Sequence, residues 1–283
     1  FPMHLPVNPG PNFNKVVDVL RRELITYDTD GSGQYQEGDV PENLASEVDK
    51  LHEELIEFVA ESDDSLLEKF FEQGGLTEEE MRSGIHRAIQ DQTFVPLFCT
   101  SATINIGVAR LCDFIAKYGA SPDDRKIVKA HDESGNDVDI SLDGSETVVQ
   151  VFKTMAESHV GELSLFRVYS GLVKTGADLY NTNRKKSERF GQLFVLNGKN
   201  RTQVDRLSAG DIASVVKLKD THTGNTLCSG EKVMLPELDL PNPNIHSAIS
   251  SSAKGDEEKL AIGLATLHEE DPTFVYRVDS EVK

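Results

Sequence analysis

The sequence predicts a multidomain protein in which an α/β part with a helical outgrowth is followed by an all-β part. Three observations support this fold class. Residues 44–90 carry apolar side chains at helical spacing, and residues 93–119 run from an apolar segment through a loop of small residues into a helix. Residues 147–228 alternate short apolar segments with glycine-centred turns. The chain has 283 residues, which is long for one hydrophobic core.

The segment FNKVVDVLRRELITY, residues 13–27, is compatible with two kinds of secondary structure. Val17, Leu20, Leu24 and Tyr27 fit the apolar stripe of a helix. The β-branched residues of the same segment also suit two short strands. The sequence leaves both alternatives open.

Three amphipathic helices are predicted next. The first is indicated by apolar residues at spacings of three and four, from Leu44 to Phe58. The second, SDDSLLEKFFEQGG, starts at a Ser/Asp cluster and ends at a glycine pair. The third, TEEEMRSGIHRAIQ, opens with a capping box formed by Thr77 and Glu80. Short connections between them predict a small helical unit.

After these helices the pattern predicts one edge of an α/β sheet. TFVPLFC resembles a strand buried on both faces, TSATINIG is a loop of small residues, and VARLCDFIAKYG is a helix that ends at Gly119. The polar residues 120–146 predict a linker or a loose hairpin. Residues 147–239 contain short strands whose spacing predicts a small β-barrel.

The last part of the sequence predicts a strand, a helix and a second strand. IHSAISS is the first strand, residues 256–269 are the helix, and TFVYRVD is the second strand. A single β-α-β unit cannot bury a sheet face by itself, so this domain is expected to be incomplete.

Composition narrows the classes of function. The formal net charge is −19, and residues 41–80 hold fourteen Asp and Glu against two Lys. Such a run is usually a solvated face, whereas the mildly basic segment 151–237 suits contact with phosphate. No apolar run approaches the ~18 residues of a membrane helix. Three scattered cysteines without CxxC spacing indicate a reduced, cytosolic setting, and the histidines show no metal-ligand spacing.

One short motif suggests calcium. In YDTDGSGQYQEGD, oxygen-bearing Asp28, Asp30, Ser32 and Asp39 occupy loop positions 1, 3, 5 and 12 of an EF-hand, with Gly33 at position 6. The motif occurs once, and its last ligand is the shorter Asp in place of a bidentate Glu. A turn between two strands is therefore the favoured interpretation, and a calcium-binding interaction module is a distant alternative.

Several long motifs resemble bacterial translation elongation factor G. CTSATINIGVARLCDFIAKYGASP is similar to the end of its GTPase domain, where a Ser-Ala loop follows the last strand. VFKTMAESHVGELSLFRVYSGLVKTGADLYN, LSAGDIASVVKLKDTHTGNTLC and HEEDPTFVYRVD are similar to its second domain and the start of its third. The resemblance implies a central fragment of that factor.

The resemblance divides the chain as follows. Residues 1–119 correspond to the C-terminal part of a P-loop GTPase α/β domain, with a helical insertion at about 13–92. Residues 120–146 are a linker, residues 147–239 are the translation-factor β-barrel called domain II, and residues 240–283 begin a ferredoxin-like domain III. In this scheme the stretch around Asp28 is a strand-turn-strand at the base of the insertion.

The family implies a cytoplasmic, ribosome-dependent GTPase that promotes translocation of tRNA and mRNA. A paralogue specialised for ribosome recycling, or for translocation without GTP hydrolysis, is an alternative. The intact protein is expected to use GTP and Mg²⁺. The sequence contains neither GxxxxGK[ST] nor NKxD, so these 283 residues alone are expected to bind neither cofactor and to be inactive as a GTPase.

The resemblance also implies candidate site residues. A nucleotide-binding loop is expected at Thr100, Ser101 and Ala102, where a backbone N–H reads the guanine O6. The barrel is expected to face small-subunit ribosomal RNA through a basic cluster, Arg184, Lys185, Lys186 and Arg189. The insertion is expected to meet the stalk protein of the large subunit through an acidic face, Glu47, Glu53, Glu54 and Glu57. We expect indirect contact with tRNA and mRNA, no membrane or DNA partner, no metal site and no catalytic residue.

Overall fold

The computed structural model describes residues 1–157, 161–251, 253 and 255–278. It divides the chain into two compact units, Phe1–Ser121 and Pro122–Lys283. None of the helices in the described residues has the length and hydropathy that a membrane span requires.

The first unit combines a four-stranded antiparallel sheet with four helices. Its elements are β1 (His4–Pro6), β2 (Lys15–Asp18), β3 (Glu23–Tyr27), β4 (Tyr35–Gly38), α1 (Glu42–Glu61), α2 (Asp64–Gln73), α3 (Glu78–Gln90) and α4 (Val108–Tyr118). The strands follow one another in the sheet in chain order. Residues 13–27 therefore adopt the strand alternative, because both strands find partners and bury Val16, Val17 and Ile25.

The three predicted insertion helices are confirmed. Asp63 caps α2 by accepting a hydrogen bond from the Ser65 N–H at 2.8 Å, and Gly74 ends it in the left-handed conformation. Thr77 and Glu80 form the expected reciprocal capping box of α3. A shared core that includes Leu55, Leu66 and Ile85 packs α1, α2 and α3 together.

The predicted strand at residues 93–99 is not formed. Its only pairing in the described chain is one parallel bridge between Pro2 and Leu97, where Phe1 and Met3 exchange backbone hydrogen bonds with Leu97. Val95 is 75% exposed and Leu97 is 61% exposed, so the run is not buried on both faces. Strands of parallel sheets are covered on both faces by packed layers, and this run has neither that cover nor more than one bridge to a neighbour.

The second unit contains thirteen strands and one α-helix within the described residues. Its elements are β5 (Ile127–Asp132), β6 (Asp137–Ser141), β7 (Val148–Glu157), β8 (Gly161–Ser170), β9 (Leu172–Lys174), β10 (Ala177–Asn181), β11 (Lys186–Phe190), β12 (Leu193–Asn197), β13 (Asn200–Val204), β14 (Arg206–Ser208), β15 (Ile212–Val216), β16 (Thr226–Cys228), β17 (Val233–Met234) and α5 (Glu257–Glu270).

Eight of these strands form one antiparallel sheet in the order β11-β10-β16-β7-β8-β15-β12-β13. Only Gly191 and Gln192 join β11, at one end of the sheet, to β12, the last strand but one at the other end, so the sheet curls back on itself. Strands across the whole sheet contribute to one core, in which the rings of Phe166 and Phe190 meet edge to face at 5.1 Å. The β9–β14 ribbon adds Val173 to that core. The barrel predicted from the glycine-centred turns is confirmed.

Two flanking segments differ in part from expectation. Of the two alternatives for residues 120–146, the structure has the hairpin: β5 pairs with β6 and with β17, and Ala130 and Ile140 are buried in a core that also includes Val233. The predicted terminal helix is confirmed as α5. Residues 245–251 form no strand, and TFVYRVD forms none up to residue 278, beyond which it lies outside the described residues. Neither segment has a partner strand in the described part of the chain, and an unpaired segment cannot be stable as a sheet.

Candidate nucleotide-binding loop and interaction surfaces

The candidate nucleotide loop is a tight turn that leads into α4. Ser101 and Ile106 exchange two backbone hydrogen bonds, each 2.9 Å long, which close the loop. Gly107 then starts α4 with φ +73°, and a Cβ there would lie 2.7 Å from the carbonyl oxygen of Cys99. Glycine is required at this position because both the backbone conformation and the close approach exclude a side chain.

The three predicted loop residues are not equivalent as hydrogen-bond donors. The Ser101 N–H already donates to Ile106 inside the loop. In the described part of the chain, the N–H groups of Thr100 and Ala102 have no acceptor, and both residues are exposed. A backbone N–H donates to a carbonyl oxygen and not to an amino group. The loop can therefore present Thr100 and Ala102 amides to a carbonyl such as guanine O6.

The predicted basic cluster lies on the β10–β11 hairpin, and all four of its side chains are exposed. Lys186 places Nζ 2.6 Å from Asp220 Oδ1, and Arg189 lies 4.0 Å from Asp178. Arg184 and Lys185 stand at the turn itself, where Lys185 has φ +57°. The turn therefore presents two cations, while the other two are already near carboxylates.

A buried carboxylate fixes the segment beside this hairpin. Glu188 is 6% exposed and accepts hydrogen bonds from the backbone N–H groups of Lys219 and Asp220, at 3.0 and 2.6 Å. Asp220 carries the carboxylate that pairs with Lys186, and a hydrogen bond from Lys186 holds the pKa of Asp220 below its usual range.

The predicted acidic face lies on α1. Glu47, Glu53, Glu54 and Glu57 are all exposed, and helical geometry places them within about 120° of arc. Lys50 falls on the same side and lies 3.5 Å from Glu54. Val48, Leu55 and Val59 form the buried side of this helix. The face is solvated and strongly negative, as the sequence predicts.

The calcium motif does not come together as one site. Asp28, Asp30 and Ser32 lie in the β3–β4 turn, but Asp39 follows Gly38, which pairs with Leu24 at the far end of the hairpin. Four strand residues separate Asp39 from the turn, or about 13 Å at the rise of a β-strand. No group of three potential metal ligands occurs among the residues that the structure describes. The strand-turn-strand interpretation is confirmed.

Comparisons with known proteins agree with this architecture. Residues 146–230 match the family model described as elongation factor G domain 2, and residues 240–283 match elongation factor G domain III. Two parts of the chain are therefore similar to elongation factor G domains. A crystal structure of a Thermus thermophilus protein matches 96% of this chain with 29% sequence identity and a TM-score of 0.79. The chain spans 38% of the length of that protein.

These two stretches of the second unit are thus similar to successive domains of elongation factor G. The first unit, which carries the candidate nucleotide loop, lies before both family-model matches, and the solved structure extends the similarity to it. This unit also holds a residue that sequence reasoning did not single out. Asn105 adopts φ +54° within the loop. The sequence does carry a signal for this conformation, because Asn is enriched among non-glycine residues with positive φ.

Proposed function

We propose that the intact protein is a ribosome-dependent GTPase that promotes movement of tRNA and mRNA during elongation. The observation that supports this best is the succession of elongation factor G domains 2 and III along the chain. In the proposed mechanism, the bound nucleotide selects between two domain orientations, and the barrel transmits the change as a rigid body. Its continuous core, centred on Phe166 and Phe190, supports that role.

We include GTP and Mg²⁺ in the proposal for the intact protein. GTP would supply the phosphoanhydride whose hydrolysis drives the cycle. The loop of this chain fits the base of such a nucleotide, because Thr100 and Ala102 offer exposed amide donors on a rigid turn. A backbone N–H can donate to the O6 carbonyl oxygen of guanine. It has no acceptor in the amino group of adenine, so the loop favours guanine over adenine.

A translocation assay on the intact protein tests the proposal. We expect movement of tRNA and mRNA with GTP, and slower movement with a non-hydrolysable GTP analogue. Equal rates with both nucleotides would favour the paralogue that translocates without hydrolysis. Splitting of ribosomes into subunits in place of movement would favour the recycling paralogue.

The barrel is proposed to contact small-subunit ribosomal RNA through the basic hairpin turn. Charge reversal at Arg184 and Lys185 should weaken binding to small ribosomal subunits, and the slope of log affinity against log salt should fall by about 1 for each phosphate that the variant no longer neutralises. Lys199→Glu makes the same kind of change at the exposed turn between β12 and β13 and serves as the control. Equal effects of both changes would contradict a specific contact.

The acidic face of α1 is proposed to recruit the large-subunit stalk protein. Opposite charges across an interface mainly raise the association rate. Lys substitutions at Glu53 and Glu57 should therefore slow association with purified stalk protein, most clearly at low salt. Glu258→Lys, on the exposed side of α5, is the control for each of the two substitutions made singly. An association rate equal to that of the control would remove this partner from the proposal.

A further inference from the structure

We propose that the β3–β4 turn, residues 28–34, positions the candidate nucleotide loop, residues 99–107, through a contact between Gly33 and Asn105. The inference rests on the proposed nucleotide role of the loop. It gives a role to the motif that resembles a calcium loop. Gly33 and Asn105 act here as positioning residues, because they hold the amide donors in place without touching the nucleotide.

The contact is close and polar. The Asn105 side-chain amide donates to the carbonyl oxygen of Gly31 at 3.3 Å. A Cβ added to Gly33 would lie 2.5 Å from Asn105 Nδ2 and 3.0 Å from its Cγ. The turn and the loop therefore approach each other so closely that a side chain at position 33 would displace the Asn105 amide, and the φ of +75° also favours glycine there.

Asn105 links this contact to the donors of the loop. Its own backbone N–H donates to the carbonyl oxygen of Ala102 at 3.3 Å, within the turn that Ser101 and Ile106 close. Its φ of +54° is a conformation that persists in non-glycine residues when the surroundings hold it. The hydrogen bond to Gly31 supplies such a restraint. Displacement of Asn105 would therefore loosen the turn that carries the Ala102 amide.

The loop is also anchored to the sheet that carries the turn. Ile106 is fully buried in a core formed with Val16, Ile25 and Tyr27. Cys99 and Ile104 pack against the same core. The sheet beside the turn and the two ends of the loop thus share one apolar cluster, so movement of the β3–β4 hairpin is transmitted directly to the loop.

The turn is internally braced, which suits a positioning role. Asp28 N–H donates to the Gln34 carbonyl oxygen at 2.9 Å. Asp30 Oδ1 accepts from the Ser32 N–H at 2.9 Å, and Ser32 Oγ accepts from the Gln34 N–H at 3.2 Å. The oxygens that resemble calcium ligands are therefore used to stiffen the turn. A stiff support keeps backbone donors oriented before a ligand arrives, which reduces the entropy lost on binding.

Hydrogen exchange on the 283-residue chain tests the contact without any nucleotide. Gly33→Ala should accelerate exchange of the Ser101, Asn105 and Ile106 amides by about tenfold, because the new Cβ displaces Asn105 and opens the loop. Gly74→Ala is the matched control, since Gly74 has φ +71° but open space around its missing Cβ. Equal exchange rates at these three amides in the two variants would overturn the proposal.

A second variant distinguishes loss of the Gly33–Asn105 contact from backbone strain at position 33. Asn105→Gly keeps the left-handed backbone allowed but removes the side chain that Gly33→Ala would strike. The double variant should therefore show the same loop exchange as Asn105→Gly alone, which is a non-additive result. Additive acceleration in the double variant would show that Gly33 does not act through Asn105.

Nucleotide binding by the intact protein provides the functional readout. Gly33→Ala should weaken GDP binding by about tenfold and lower the preference for GDP over ADP, while Gly74→Ala should change neither by more than about twofold. Loss of folded protein would reduce the number of binding sites but not this preference. If the unsubstituted protein binds no GDP, the proposed function fails, and the exchange experiments still decide whether the turn positions the loop.

Discussion

Nη2 of Arg110 lies 2.9 Å from Oε1 of Glu23, so that helix α4 is joined to strand β3 by an ion pair in the interior of the first unit. The arginine is 6% exposed and also contacts Glu37 at 2.5 Å. Its guanidinium lies 4.9 Å from the ring centroid of Tyr35. Burial raises the pKa of Glu23, and the positive charge of Arg110 opposes that rise.

Removing this arginine should destabilise the first unit. Arg110→Met leaves the partly buried Glu23 with only Arg21, 3.8 Å away, as a cation, so we expect a loss of about 2 kcal/mol in the free energy of unfolding. Urea unfolding followed by far-UV circular dichroism measures it, since most helices belong to this unit. Lys117→Met, on the same helix, removes an ion pair with the exposed Glu78 and should cost less than about 1 kcal/mol. Similar losses for both would contradict a special role of Arg110.

The capping box predicts a pH dependence of the helical unit. A hydrogen bond from Lys69 and two from Thr77 lower the pKa of Glu80 from 4.5 to about 2. Because the folded state holds the carboxylate more strongly than the unfolded chain, this stabilisation is present above pH 4.5 and is lost as the pH falls towards 2.

Glu80→Gln should therefore lower the melting temperature at neutral pH and flatten its decline below pH 4.5. Lys69→Met should give part of the same effect, because the hydrogen bond from Lys69 is the largest cause of the lowered pKa. Thermal unfolding of both variants at a series of pH values measures this. An unchanged pH profile in Glu80→Gln would show that the carboxylate contributes nothing in solution.

Local signals in the sequence predicted much of the fold. Thr77 and Glu80 are three residues apart, and Gly74 directly follows α2, so these helix ends depend on neighbours in the chain. The barrel strands were visible because glycine-centred turns separate short apolar runs. Helical spacing alone predicted which residues of α1 face the solvent.

Features that depend on distant partners were missed. The apolar run 93–99 has a strand-like composition, but pairing and burial require neighbouring strands that the run itself does not specify. Asn105 and Gly31 are 74 residues apart, and no spacing rule connects them. The same limit applies to the candidate site: small residues marked the loop, but only its hydrogen bonds distinguish the Ser101 amide from those of Thr100 and Ala102.

The calcium alternative is open to a direct test. Because Asp39 lies at the other end of the β3–β4 hairpin from Asp28, the motif cannot enclose one ion without unpairing β4. We expect isothermal titration of the chain to show no specific calcium binding up to millimolar concentrations, where weak extracellular modules already bind. Binding in the micromolar range, abolished by Asp39→Asn, would show instead that the hairpin rearranges around calcium.

The end of α5 provides a prediction about the second unit. Glu269 Oε2 lies 2.6 Å from Nδ1 of His222, and Glu270 Oε1 accepts a hydrogen bond from the Ala156 N–H at 2.7 Å. Two adjacent carboxylates thus attach the helix to β7 and to the loop before β16.

Glu269→Ala should increase amide exchange in residues 257–270 by about fivefold, the equivalent of one charge-assisted hydrogen bond, while exchange in β8 stays unchanged. Glu258→Ala removes an exposed carboxylate from the first turn of the same helix and controls for altered helix propensity. If both substitutions accelerate exchange equally, α5 is held by its apolar contacts and the carboxylates only accompany them.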